Sequence, residues 1–282
     1  MGAKGRLTVV GTGISFGQLT LEARGAIQRA ERVLYVVADA ITERWIEENA
    51  PGSESLYDCY GPGKSRMTSY LEMVERILDA AREGAQVCAA FYGHPGVFVY
   101  PSHEAVRRAR QEGIPARMLP GVSAEDCLFA EVGFDPAMRG CQSFEATDFL
   151  LRRRRFDPTS NLVLWQVGVL GALDFQPDGY DTSGLTVLQG DLVETYGGDH
   201  EVVLYEASLD PISESRIERF ALEKLASTRL TGNATLYVPP QENRPHSDEY
   251  RKLLNIDMDE VDRIAQVLVR NGDPNALSSA KG

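Results

Sequence analysis

The sequence predicts an α/β protein of two domains, an N-terminal parallel α/β sheet domain followed by a mixed α+β domain. Three observations predict it. Short apolar runs alternate with amphipathic helical patterns through the first 133 residues. A glycine-rich turn, Gly11-Thr12-Gly13-Ile14-Ser15-Phe16-Gly17, joins the first run to the first helix, as at the start of a β-α-β unit. After Gly133-Phe134-Asp135-Pro136 the rhythm changes to strand-like runs at wider, irregular intervals. The expected units are 1–133, 134–245 and a terminal helical tail over 246–282.

The elements follow in order. Residues 7–10 form a short apolar strand, and Leu19, Ala23, Ala26, Ile27 and Ala30 form one face of a helix before a second strand at 33–37. The glycines are spaced G-x-G-x-x-x-G, which is not the dinucleotide fingerprint, so the turn either touches a ligand or lets the strand bend tightly into its helix. Residues 41–48 are helical and Pro51-Gly52 ends them. A brief strand at 54–57 leads into a Gly/Pro-rich loop at 58–64. Tyr70, Met73, Val74, Ile77, Leu78 and Ala81 then recur at helical spacing, with Ser69 and Glu72 read as a capping box and Arg66 in the loop ahead of it.

Residues 86–92 are a nearly unbroken apolar run, the pattern of a central parallel strand covered on both faces. The run delivers Tyr92 into the turn Gly93-His94-Pro95-Gly96, at the strand end where open α/β folds bind ligands. A helix from Ser102 to Gly113, a strand at 116–119 and the turn Pro120-Gly121-Val122-Ser123 complete the first domain, with Ser123 and Asp126 capping the next helix. In the second domain, strands are expected at 142–145, 162–167, 202–206 and 234–238, with a helix over 185–196. One or two short helices are expected over 246–271 and no order after them.

Composition narrows the function. The 282 residues are 43% apolar and 25% charged, as in ordinary soluble domains large enough for two cores. With 41 acidic against 29 basic residues, the net charge of -12 disfavours nucleic acids and anionic membranes as partners. A small molecule or a peptide is the expected partner. No apolar run approaches the roughly 20 residues of a membrane span, and no signal-peptide core follows the N-terminus. The four cysteines form no C-x-x-C pair and the four histidines are isolated, so a cytoplasmic, metal-free protein is expected. The arginines at 152–155 read either as a solvated loop or as a contact for an acidic leader peptide.

The V-G-x-G strand end, the first helix, the G-x-P turn at 93–95 and the P-G-V-S-A turn at 120–124 resemble the tetrapyrrole methylase superfamily of S-adenosylmethionine-dependent methyltransferases. The resemblance covers about residues 6–240 and implies that family's two-domain fold. Classical members carry Gly-Pro-Gly-Asp in the first loop and Gly-Asp-Pro in the central turn, and the departures here point away from a porphyrin or corrin substrate. The motifs Tyr57-x-x-Tyr60, Arg66-x-x-x-Tyr70, Tyr92-Gly-His-Pro-Gly-Val-Phe, Gln142-Ser-Phe-Glu-Ala, Leu164-Trp-Gln, Val203-x-Tyr-Glu-Ala and Thr235-Leu-Tyr-Val-Pro-Pro are similar to those of the borosin peptide-backbone α-N-methyltransferases.

That resemblance implies methylation of the backbone amides of a ribosomal precursor peptide, with S-adenosylhomocysteine as the other product. It implies Arg66, Tyr70, Tyr92, Tyr57 and Tyr60 as the catalytic set. It implies Tyr92, His94, Val97, Phe98, Ser123, Ala124, Gln166, Tyr205, Ala207, Ala234 and Thr235 as the positions that hold S-adenosylmethionine. It also implies a homodimer.

The chemistry suits these residue types. An amide nitrogen is a poor nucleophile because its lone pair is delocalised into the carbonyl. A tyrosinate could take the N–H proton, but free tyrosine titrates near about 10, and a guanidinium beside it would lower that value. Arg66 beside Tyr70 is therefore the expected acid/base pair, unless Arg66 holds the amide oxygen as charge develops there. From spacing alone Tyr70 reads first as a packed core tyrosine and Arg66 as a solvated loop charge, and Gln166 can be a satisfied strand amide; the ordered combination of motifs reverses that order. The tail after Pro240 carries no hydrophobic core peptide, so a precursor acting in trans is expected. Two other classes stay open: methylation of a tetrapyrrole or other small molecule, and a non-catalytic, cofactor-sensing peptide-binding protein.

Overall fold

The computed structural model describes residues 5–176, 179–210, 212–242, 246–257 and 263. Two five-stranded sheets organise them. The first is built from β1 (Arg6–Gly11), α1 (Leu21–Arg29), β2 (Arg32–Val36), α2 (Ala40–Asn49), β3 (Ser53–Ser55), α3 (Arg66–Arg82), β4 (Gln86–Phe91), α4 (Tyr100–Gln111) and β5 (Ala116–Met118). Its strand order is β3-β2-β4-β1-β5, and every pairing is parallel.

Strand side chains alternate between two cores. Leu7, Val9, Ala89 and Phe91 face α3 and α4, while Val10, Val33, Tyr35 and Ala90 face α1 and α2. Both faces are covered, which is why the run at 86–91 is apolar throughout. The chain leaves β1 for one face and leaves its neighbour β4 for the other. Their carboxyl ends therefore diverge at a topological switch point, where a crevice opens.

Three backbones meet there too closely for side chains. A Cβ on Gly11 would lie 2.3 Å from the Gly93 carbonyl oxygen, and one on Gly121 would lie 2.7 Å from the same atom. The first glycine turn is tied to the second, Gly13 and Gly93 exchanging N–H···O bonds of 3.3 and 2.7 Å. Its main work is this pairing, and of its residues Ile14 reaches the crevice.

α5 (Ala124–Leu128) continues into a π-turn over Phe129–Gly133 and α6 (Pro136–Arg139) leads to the second sheet. That sheet contains β6 (Cys141–Glu145), β7 (Asn161–Trp165), β8 (Glu201–Glu206), β9 (Arg216–Ala221) and β10 (Thr235–Val238), in the order β6-β7-β10-β8-β9. β6 and β7 run parallel and the other neighbours antiparallel. Leu162 and Leu164 pack under α7 (Ala146–Leu151) and α8 (Gly184–Tyr196), while Val163 and Trp165 face the crevice side with Tyr205 and Tyr237. α9 (Asp248–Leu253) is the one helix described in the expected tail, and the remainder of that expectation lies outside the described residues.

Several boundaries differ from expectation. α3 begins at Arg66 because Ser65, not Ser69, is its cap: Ser65 Oγ accepts from the Thr68 N–H at 3.1 Å, while Ser69 is buried in the helix interface. α4 begins at Tyr100 with Pro101 in its first turn, where the missing N–H costs nothing. Tyr57 sits on a 3₁₀ turn (Tyr57–Cys59) after β3 rather than on a strand. The expected capping box of Ser123 and Asp126 is present in full. The fold also contains β9, whose polar sequence exposes half of its residues at the sheet edge, and α7, neither of which periodicity signals.

All four cysteines are free. Burial pushes the Cys88 thiol up to about 12, and burial, followed by repulsion from Glu43 and Glu47, pushes the Tyr35 phenol up to about 12. The folded state thus favours the protonated forms. Their stabilisation is complete below the unfolded thiol value of 9.0 and is lost as pH climbs toward 12, because the unfolded chain ionises first. The melting temperature is expected to be flat from pH 7 to about 9 and to fall steadily above it, with Cys88→Val removing the first part of the fall. Thermal melts by circular dichroism check this, and a Tm that stays level through pH 11 would overturn it.

Candidate active site

The crevice between the two sheets is a cleft of about 260 Å³. The loop after β4 supplies Tyr92, Gly93, His94, Val97 and Phe98, the cap of α5 supplies Ser123, Ala124 and Glu125, and the second sheet supplies Trp165, Gln166, Tyr205, Ala207 and Thr235. Aromatic faces dominate one wall, where the Phe98 and Trp165 ring centroids lie 5.7 Å apart. Trp165 is fixed by its Nε1–H, which donates to Ser143 Oγ at 2.5 Å. Among the described residues Glu125 is the carboxylate in the lining, and neither Lys nor Arg lines it.

Backbone conformation at the cleft is unusual. Phe98 and Gln166 have φ of 55° and 60°, a region that costs a non-glycine residue about 1–2 kcal/mol. Gln166 therefore does not continue β7 as a strand amide. It turns the chain so that Val167 N–H reaches the Ala234 carbonyl at 3.1 Å while its own side chain meets the cleft. His94 is oriented by the Gly96 N–H, which donates to Nδ1 at 2.9 Å, so the neutral ring carries its hydrogen on Nε2.

A second cluster adjoins the cleft and shares two residues with it. Tyr57 and Tyr92 line the cleft. Tyr57 contacts Tyr60 at 6.0 Å between centroids, Tyr60 contacts Tyr70 edge-on at 6.4 Å, and Tyr70 stacks on Tyr100 at 6.3 Å. The 3₁₀ turn carrying Tyr57 and Tyr60 is braced against α3 by Arg76, which binds Asp58 at 2.6 Å and Glu54, and by Lys64 Nζ, which donates to the Cys59 carbonyl at 2.6 Å. Arg66, at the first position of α3, has its guanidinium carbon 5.3 Å from the centre of the Tyr180 ring.

Electrostatics in this cluster correct one expectation. The sequence expects Arg66 to bring Tyr70 below its ordinary value, yet the Tyr70 phenol is raised, because burial outweighs the pull of Arg66 and of the Tyr60 hydroxyl. Tyr60 is raised strongly, again by burial first and then by Tyr70, Tyr92 and Tyr57, with Arg66 opposing. Tyr92 leaves 45% of its surface accessible, but that surface faces a walled cleft. Burial, then Tyr57 and Tyr70, pushes its phenol up to about 12 against the pull of Arg66. Burial and then Glu43 raise Tyr57. At neutral pH all four phenols keep their protons.

The structure thus brings Arg66, Tyr57, Tyr60, Tyr70 and Tyr92 into one contiguous group beside the cleft. Of the positions expected to hold cofactor, Ala234 differs: it is fully buried in the second sheet's core and is not among the residues that line the cleft, its carbonyl accepting from the Val167 N–H. Tyr205 lies at the cleft floor with its hydroxyl donated to Glu131 at 2.9 Å. Sequence reasoning missed Trp165, Asn233 and Ile14 in the cleft, and Tyr100, Phe175 and Tyr180 around the tyrosines. Trp165 lay inside a quoted motif; Phe175 and Tyr180 carried no local signal. In the basic cluster, Arg152 and Arg154 are both paired with Asp148, at 2.6 and 2.8 Å, which favours the solvated-loop reading.

Residues 6–171 match the family described as Tetrapyrrole (Corrin/Porphyrin) Methylases. A methyltransferase/ribosomally synthesized type III borosin cyclic peptide precursor of Anomoporia bombycina is 46% identical over 255 residues, covering 88% of this chain and 30% of that protein. The methyltransferase/ribosomally synthesized cyclic peptide dendrothelin A precursor of Dendrothele bispora is 45% identical, covering 89% of this chain and 61% of that protein. The omphalotin A counterpart of Omphalotus olearius is 44% identical, covering 85% and 59%. The chain thus spans between 30% and 61% of the length of these relatives. Among solved structures, uroporphyrin-III-C-methyltransferase from Thermus thermophilus superposes with a TM-score of 0.61 at 23% identity, covering 84% of this chain and 92% of that one. A cobalt precorrin-4 methyltransferase of cobalamin biosynthesis superposes at 0.59 with 18% identity, covering 83% and 94%. At those identities the likeness shows the fold. The chain belongs to the tetrapyrrole (corrin/porphyrin) methylase family.

Proposed function

We propose that the chain transfers methyl groups from S-adenosylmethionine to backbone amide nitrogens of a ribosomally made peptide. The observation that carries this reading is the sharing of Tyr57 and Tyr92 between a cation-tolerant cleft and a tyrosine cluster that holds an arginine. The curated relatives, named as methyltransferase and cyclic peptide precursor together, support it.

The residues present suit a sulfonium cofactor. The aromatic faces of Tyr92, Phe98 and Trp165 attract a cation, Glu125 adds a negative charge, and among the described residues no Lys or Arg in the lining repels it. Ser123, Gln166 and Thr235 offer hydrogen bonds among otherwise apolar walls. Bound there, S-adenosylmethionine supplies an electrophilic methyl group.

The chain's own residues act on the amide. Arg66 offers positive charge where the peptide oxygen becomes negative as the amide loses its N–H proton and takes on imidate character. Tyr70, which both Arg66 and Tyr60 pull toward ionisation, is the phenol best placed to accept the N–H proton. Tyr57 and Tyr60, with Phe175 against Tyr60 at 5.1 Å, wall the approach and exclude water.

The test is mass spectrometry of the purified chain incubated with S-adenosylmethionine, alone and with the small peptide encoded beside its gene. Mass steps of one methyl group on backbone nitrogens support the reading, and their appearance on the added peptide supports a precursor acting in trans. Steps on the chain itself assign the substrate in cis. Cofactor binding without any methylated peptide, alongside methylation of a tetrapyrrole offered in parallel, would replace the peptide reading.

A further inference from the structure

We infer that Tyr180 is a positioning residue that holds the Arg66 guanidinium at the tyrosine cluster with its aromatic face; this deepens, and rests on, the peptide-methylation reading. Arg66 belongs to the first sheet's α3, and Tyr180 follows the second sheet's β7, so the ring reaches the cation from the other domain. The distance from guanidinium carbon to ring centre is 5.3 Å, within the range of cation–π attraction.

The ring is held in place on two sides. Its hydroxyl accepts from the Gln176 N–H at 3.3 Å. Its edge packs on Gly232, where a built Cβ would meet Tyr180 Cε2 at 3.5 Å, and Gly232 lines the cofactor cleft. The same segment also fixes the backbone at the start of α3. Arg66 N–H donates to the Leu173 carbonyl at 3.2 Å, Ser65 bridges Asp174, and Phe175 N–H donates to the Lys64 carbonyl at 3.3 Å. Backbone and side chain of Arg66 are thus set by one stretch of chain.

The choice of partner has a physical logic. Arg76, farther along α3, is bound by the carboxylates of Glu54 and Asp58, which cancel its charge. Among the described residues Arg66 makes no such pair, and its recorded side-chain partner is a neutral ring. A carboxylate would orient the guanidinium but compete with the developing charge on the amide oxygen. An aromatic face orients it and leaves its full positive charge available. Arg66 acts on Tyr60, Tyr70 and Tyr92 together, and the Tyr180 hydroxyl is near enough to Tyr70 to act on it too, so the ring, the cation and the phenols form one unit.

The test replaces Tyr180 by phenylalanine and by pentafluorophenylalanine, which has nearly the same shape but reverses the charge on the ring face. Both lose the hydroxyl, so their difference isolates the face. Two readouts are taken: the methylation rate at saturating cofactor, and the titration of Tyr70 followed by NMR of its labelled Cζ without substrate. The pentafluoro variant is expected to be about tenfold slower than Tyr180→Phe. The Tyr70 midpoint is expected to move up in the pentafluoro variant and in Arg66→Leu, because both weaken the pull on the phenolate, and to stay in Tyr180→Phe once its own hydroxyl is allowed for. Identical behaviour of the two ring variants in both readouts overturns the inference. Should the chain methylate no peptide at all, the Tyr70 titration still decides the role of Tyr180, so the two failures are told apart.

Discussion

Arg66→Leu is expected to lower the methyl-transfer rate about a hundredfold to a thousandfold while leaving cofactor affinity within about twofold, the range seen when one charge-stabilising donor is removed from an active site. The separation of the two effects follows from geometry. Arg66 is not part of the cleft lining, so a cofactor held there would lose no contact. Its charge acts on the phenols of Tyr60, Tyr70 and Tyr92, and it is half-buried where water screens it poorly. Single-turnover methylation measured beside calorimetric titration of S-adenosylmethionine checks both halves. Arg66→Lys separates charge from shape: an ammonium keeps the charge but not the flat surface that lies on Tyr180, so an intermediate loss is expected. A variant that keeps its full rate, or loses cofactor binding in parallel with rate, would remove Arg66 from the chemistry.

What could be read from sequence, and what could not, divides along physical lines. The helix carrying Tyr70 was legible because Met73, Val74, Ile77, Leu78 and Ala81 repeat at helical spacing, and all five are core residues. The central strand was legible because both its faces are buried. β9 was not, because an edge strand with the sequence RIERFA has only a partial apolar face to betray it. The start of α3 was misplaced because Ser69 and Glu72 have the spacing of a capping box, whereas the cap is Ser65, which is bridged to Asp174 in a pairing that no local pattern shows.

The site divides in the same way. Positions on turns that follow strands, such as Tyr92, His94 and Ser123, could be placed because the fold class itself says where strand ends converge. Tyr180 and Phe175 could not, since they arrive from the far domain in an irregular segment. The sign of the Tyr70 shift was the subtlest loss. Proximity of Arg66 in sequence shows that a favourable charge is near, but burial, which depends on the packing of Tyr60 and Tyr100 around the same ring, decides the balance.

That balance has a kinetic consequence. The rate is expected to rise about tenfold per pH unit from pH 7 to 9 and to reach no plateau below pH 10, because the phenol that accepts the amide proton must first be ionised. Every site phenol lies above the ordinary 10.0, so at pH 7 fewer than about one molecule in a thousand carries the reactive tyrosinate. Each pH unit multiplies that fraction by ten until the phenol's own value is reached. The profile is measured as initial rate at saturating cofactor and peptide, within the range where the fold itself stays intact. Tyr70→Phe is expected to abolish the slope along with most of the activity. A flat profile in the wild type, with activity still lost in Tyr70→Phe, would make Tyr70 a hydrogen-bond donor to the amide oxygen rather than the base. The proton would then have to leave by another route, and Arg66 would carry the larger share of the stabilisation.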